Sequence, residues 1–530
     1  MSAILEHQLL TAGLISAFWT WYYDQNIIST IFVPILLTIF GIVAIYISYS
    51  IEQKWTTWSC EKPSFWIQQL KNVNRLPQML GFWCNFLPII LCFLVTFSRE
   101  ETDYFPLVVL LVVNFPLTLR LILFRILRKW KLSSLLSYLV SISITLFALI
   151  SILNVQFMVA MVLSILPSLS TTTLVPKLMT CASKSFTLGE FSLIYSSISL
   201  ALAVSIRWIG TVRINDEFDK ILLLLAWSIV SCIAFASICF VFSIVRRSGI
   251  VFWLTLFVVI ITAYLLCLFI NGLDLLTWIA EFILFGSSHS VAYRRWIVLV
   301  FWLICVAWTI KFAVACWTMP RLSTVHRKYF HLTIGMVVVS GLLYDRSLTF
   351  VASVLMLDGF VILEIIRLCE VDPIGASLSQ VFSKFLDHQD QGPLVLTPIY
   401  LLIGCFIPIW IDFPINGFHD TTLRHFAGLI AVGVGDAAAA IGGTYLGRSP
   451  WRVVSNGRKT VQGTSCGFIA QVAMIFCILY WLGSLGAFLS FGRIVWLIWS
   501  CFLISMFETF SAQVDNLVLP LFAYILFMGW

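Results

Sequence analysis

The chain has 530 residues, of which 60% are hydrophobic, 15% aromatic and 11% charged, with a mean hydropathy of +1.00. No water-soluble core is that apolar, so the composition excludes a soluble globular protein and leaves a polytopic membrane protein. The net charge of +7 is spread over short clusters, none long enough to form a basic domain, so nucleic acid is not an expected partner.

The first apolar stretch has no basic region ahead of it and no small-residue cleavage site, and reads as a retained helix serving as its own membrane signal. Long apolar runs follow along the whole chain, among them 27–50, 79–97, 132–153, 221–242, 250–270 and 393–411. At about 20 residues per crossing, these runs predict an all-α, polytopic integral membrane bundle of roughly 15 transmembrane helices. They are continuously apolar rather than alternating, which excludes a β-barrel. The longest polar connections, 51–78 and 369–391, have room for interfacial helices.

The 14 cysteines are scattered through apolar segments without a C-x-x-C pair, and read as small core residues. No glycosylation sequon occurs. Basic residues cluster at 120–131, 177–184, Arg246 and Arg247, Arg294 and Arg295, 321–328 and 448–459, which the positive-inside rule assigns to cytosolic connections. The chain divides into a region without legible chemistry, 1–320, and a region with charges inside apolar runs, 321–530. A scaffold, a lipid groove and homodimer contacts are all open roles for the first.

Chemistry-bearing residues begin at "HRKYFHLTIG", where Arg327 and His331 are four apart at the start of a span, with Lys328 beside them. They suit either a phosphate at the interface or a snorkelling anchor. Glu364 and Arg367, near Asp358, are spaced for an intrahelical ion pair. Asp436 then falls inside an apolar run. On a continuous helix over 425–446 it shares a face of small residues with Ala440, Gly443 and Gly447, open to close approach by a helix or ligand. A carboxylate at that depth is costly without a partner. The string "GVGDAA" also fits a loose dinucleotide fingerprint, but no strand precedes it.

After Gly447 the chain turns polar and basic: Arg448, Arg452, Arg458 and Lys459, interleaved with Ser455, Asn456, Gly457 and Thr460, then Gln462, Gly463 and Thr464. Glycine N–H groups, cations and a helix opening near Thr464 are the parts of an anion site, without the Walker spacing. Glu508 and Asp515 lie in the last apolar stretch. With Asp436 they make an oxygen-rich set suited to Mg²⁺ and substrate phosphates.

Five pieces in this order resemble the dolichol kinase family: "KSFTLGE" at 184–190, more remotely, then "RKYFH" at 327–331, "GVGDAAAAIGGTYLG" at 433–447, "RKTVQGTSCGFIAQ" at 458–471 and "SAQVDNLVLPL" at 511–521. Plant phytol kinases and CDP-diacylglycerol synthases share the looser theme, but the synthases' longer acidic signature is absent. The resemblance implies an endoplasmic reticulum enzyme, multi-pass with a cytosol-facing site. It would transfer the γ-phosphate of CTP to dolichol and supply dolichyl phosphate for protein glycosylation.

The resemblance places CTP on the 448–464 loop, at Arg448, Ser455, Asn456, Gly457, Arg458, Lys459, Thr460, Gln462, Gly463 and Thr464. Arg458 and Lys459 would meet the phosphates, and Asp436, with Asp515 and Glu508, would hold Mg²⁺. Asp515, or else His331, would take the proton of the dolichol hydroxyl. The lead-in "WRVVSNGRKT" departs from the family's usual one. A phosphatidate cytidylyltransferase-like enzyme and a non-enzymatic transporter or scaffold are the alternatives.

Overall fold

The computed structural model describes residues 185–528, apart from 287, 318–322, 387–391, 419, 452–458, 484–490 and 512–513, together with scattered single positions and one short helical stretch before 185. The spans expected at 27–50, 79–97 and 132–153 lie outside the described residues, as does the polar connection at 51–78. Residues 35–204 with 391–393 form one unit. Residues 1–34, 205–390 and 394–530 form the other.

The described residues are all-α. In order the helices are α1 (Leu188–Thr211), α2 (Glu217–Val241), α3 (Ser243–Arg247), α4 (Gly249–Asn271), α5 (Leu275–Leu284), α6 (His289–Trp317), α7 (Thr324–Tyr344), α8 (Arg346–Leu368), α9 (Gly375–Phe385) and α10 (Thr397–Asn416). A 3-10 turn (Leu423–Phe426) and a π-helical stretch (Leu429–Asp436) lead into α11 (Ala437–Leu446). Then come α12 (Val461–Trp481), α13 (Phe491–Phe510) and α14 (Asp515–Leu526). Among the described residues, nine helices are long and apolar enough to cross a bilayer, so the fold is a polytopic helical bundle. The 21-residue α7 is not one of the nine and carries Arg327, Lys328 and His331 in its first half.

Local chemistry sets the helix ends. Asp216, Asp274 and Asp345 cap α2, α5 and α8 by accepting backbone N–H bonds, and Gly272 ends α4 in the left-handed conformation at φ 69°. In "KSFTLGE" the Glu190 carboxylate accepts from Thr187 N (2.9 Å) and Thr187 Oγ1 accepts from Glu190 N (3.2 Å). That reciprocal pair is a capping box, so the motif starts α1. The polar connection at 369–391 holds the 11-residue α9.

Two expectations are corrected. Arg294 and Arg295 do not sit in a connection: they lie in α6, and Arg295 is buried, paired with Asp345 and Glu217 at 2.9 Å each. The 425–446 segment is not one regular helix, because its first half winds through 3-10 and π turns. The helical face therefore runs true only from Asp436 onward. Over that part, the small residues pack against α12: a Cβ on Gly463 would lie 2.8 Å from Ala439 O and 3.1 Å from Gly443 Cα. The close approach brings the start of α12, and Lys459 just before it, beside the Asp436 helix.

Candidate active site

The site lies in the larger unit, where α7, the π–α11 segment, the residues leading into α12, the end of α13 and the start of α14 converge. Asp436 sits at the junction of the π turn and α11, 7% exposed, where a wide turn re-aims side chains relative to a plain helix. Its Oδ2 pairs with Lys328 Nζ and lies 3.3 Å from His331 Nε2. Lys328 and His331 come from consecutive turns of α7, so one helix face presents both to one carboxylate.

Lys459 forms the second half. Its Nζ pairs with the Glu508 carboxylate, donates to the Glu508 carbonyl at 3.0 Å and lies 3.4 Å from Asp515 Oδ2. Burial disfavours the Lys459 ammonium, but the carboxylates of Asp515 and Glu508 more than offset this and hold its pKa above the ordinary lysine value. Asp515 opens α14, where the positive end of the helix dipole favours a carboxylate.

Carboxylate oxygens of Asp436, Glu508 and Asp515 all lie within 4.8 Å of one another. The cluster sets three carboxyl groups against the two lysines, and Asp515 Oδ1 is buried without a hydrogen-bond partner. A hard divalent cation that binds oxygen fits that donor set.

The basic loop is pinched at its base. Pro450 bridges Thr460, Trp451 N donates to Lys459 O and Val461 N to Ser449 O, each at 2.9 Å. Ser455, Asn456, Gly457 and Arg458 lie outside the described residues. The helix opens at Val461, close to Thr464 as expected, with Thr460 as its cap accepting from Gly463 N at 3.2 Å. Gln462 Oε1 accepts from Arg448 N and Ser449 N at 3.1 Å. Thr464 is buried against Thr509 (2.7 Å) and accepts from Trp451 Nε1. Gln462, Gly463 and Thr464 thus brace the loop. Arg448 is exposed at its edge.

Of the Arg327 and Lys328 pair, Lys328 is the one that reaches Asp436. Glu364 and Arg367 form the expected intrahelical pair at 2.7 Å, and Glu364 also accepts from Val395 N. Sequence reading missed a second buried cluster, Asp412 with His425, Arg424 and Tyr524. The only signal for it was a lone aspartate near the end of an apolar run.

Fold and site together define a multi-spanning helical membrane protein with a lysine-braced, metal-capable carboxylate cluster. The dolichol kinase family model matches residues 104–480, most of the length, and the chain belongs to the dolichol kinase family. Lys328, His331, Asp436 and Lys459 fall inside that match, and Glu508 and Asp515 beyond it.

The chain is 32% identical to mouse dolichol kinase over 354 residues, 65% of each chain. It is 36% identical to human dolichol kinase over 213 residues, 39% of this chain and 38% of that one. With the Arabidopsis thaliana dolichol kinase EVAN it shares 33% identity over 235 residues, 42% and 39% of the two chains. The matched stretches thus cover less than two thirds of these relatives' own length. No solved structure matches the chain.

Proposed function

We propose that this protein is a CTP-dependent dolichol kinase of the endoplasmic reticulum membrane, with residues 321–530 as its catalytic region and 1–320 as an N-terminal multi-spanning membrane region. The observation that carries the reading is the meeting of Asp436, Glu508 and Asp515 with Lys459, at the base of a basic glycine loop, in a chain of this family.

Phosphoryl transfer needs an aligned hydroxyl and positive charge on the phosphates, with little covalent help from the protein. Asp436, Asp515 and Glu508 would hold Mg²⁺, which when bound neutralises phosphate charge. Lys459 and Arg458 would take up charge on the leaving diphosphate, with Gly457 and Gly463 as the expected backbone cradle for CTP. Asp515, whose Oδ1 is buried without a hydrogen-bond partner, would accept the dolichol hydroxyl proton, with His331 as the second choice.

Orientation follows from charge. The connections at 242–248, 318–323 and 447–460 carry Arg246, Arg247, Arg321, Arg448, Arg452, Arg458 and Lys459 in the sequence. Those at 272–274, 345 and 417–422 carry Asp274, Asp345 and Asp420 and neither lysine nor arginine. The positive-inside rule therefore supports a cytosol-facing site.

Membranes containing the chain, supplied with γ-labelled CTP, dolichol and Mg²⁺, should form labelled dolichyl phosphate. No labelled lipid would overturn the reading, and lipid labelled from the α-phosphate would point to a cytidylyltransferase instead.

A further inference from the structure

The three acids arrive on separate elements, so something must fix their mutual spacing. Helix α14, which carries Asp515, has 12 residues. At about 18 Å it is too short to cross the roughly 30 Å hydrocarbon layer, so bilayer thickness does not set its axial position. Side contacts must do so, and foremost among them are those with α10, a helix that contributes no residue to the site.

Asp412 of α10 is 4% exposed. Its Oδ2 receives His425 Nε2 at 2.6 Å. His425 Nδ1 accepts from Thr422 N at 2.9 Å, which fixes the ring with its proton on Nε2. Arg424 Nε pairs with Asp412 Oδ1 at 3.0 Å, and the same oxygen accepts from Asn416 Nδ2 (2.8 Å) and Tyr524 OH (3.2 Å). One carboxylate thereby ties the start of the Asp436-bearing segment to the far end of the Asp515-bearing helix.

Gly404 supplies a second register mark. A Cβ there would meet Asn516 O at 2.0 Å, and one on Gly428 would meet Gly404 O at 2.1 Å. Gly404 and Asp412 are eight residues apart on α10, and so are Asn516 and Tyr524 on α14. The two helices meet at matched intervals, which fixes their relative height.

We propose that Asp412 is a positioning residue: through His425 and Arg424 on one side and Tyr524 on the other, it holds Asp436 and Asp515 at the separation a divalent cation requires. This inference rests on reading the carboxylate cluster as a metal site. A purely structural ion pair would lower the amount of folded protein and leave each folded molecule with unchanged metal affinity. A positioning residue changes metal affinity in the protein that remains folded.

The test uses full-length chain carrying Asp412→Asn or, more gently, Tyr524→Phe, which removes one hydroxyl. Purified folded protein is titrated with Mn²⁺ by electron paramagnetic resonance, and the Mg²⁺ and CTP dependences of dolichol phosphorylation are measured in membranes. Removing the support of a ligand typically weakens metal affinity by about 10-fold or more. Asp412→Asn should show that loss and Tyr524→Phe a smaller one in the same direction, with the Mg²⁺ requirement rising and the KM for CTP little changed. Parent-like Mn²⁺ affinity in both folded variants would overturn the inference alone. A parent protein that binds no Mn²⁺ would overturn the metal site and this inference with it.

Discussion

At the scale of the residue, Asp436 and Lys459 are paired groups whose partners arrive from elsewhere in the chain. Asp436→Asn removes the negative half of a buried pair with Lys328, and stranding a buried charge costs about 3–5 kcal/mol. That single variant should accumulate poorly and lose activity by about 100-fold or more. Lys328→Met combined with Asp436→Asn neutralises both halves. Membrane levels of this double variant, read by immunoblot, should recover while dolichol phosphorylation stays absent. Recovery of activity would show that Asp436 is only a structural partner.

Lys459 stays charged because its carboxylate neighbours raise its pKa. The stability this pairing contributes is complete below the unfolded lysine pKa and is lost only as pH rises through the higher folded value. Lys459→Arg should therefore leave the neutral-range limbs of the pH–activity profile in place. Lys459→Ala should abolish turnover in protein that still reaches the membrane.

At the scale of the element, small residues govern how closely the site helices approach. A methyl on Gly428 would collide with the backbone of Gly404 and Cys405, whereas one on Gly359 meets nothing within 4 Å. Gly428→Ala should lower the melting temperature in detergent, at a cost of about 1–3 kcal/mol. Gly359→Ala, in the interior of α8, should raise stability by about 0.5–1 kcal/mol. The small-residue face after Asp436 was legible because it repeats at helical spacing. The π turn before it was not, because apolar residues there give no sign of which backbone ring closes.

At the scale of the whole molecule, the proposed cytosolic side of the 447–460 connection is a topology that labelling can check. In sealed microsomes an impermeant maleimide should label a cysteine placed at Ser455, and should reach one placed at Asp420 only after permeabilisation. Labelling at Asp420 in sealed vesicles, with Ser455 reached only after permeabilisation, would reverse the orientation. The sequence by itself determined the membrane class, the helical character, the order of the charged motifs and the family they resemble, because hydropathy and motif spacing are properties of neighbouring residues. Only the tertiary structure decided that Lys328 meets Asp436 across 108 positions, that Lys459 stands between Glu508 and Asp515, and that Asp412 meets Tyr524 across 112. In a medium of low dielectric every buried charge must find a partner, but which partner is fixed by how the helices pack.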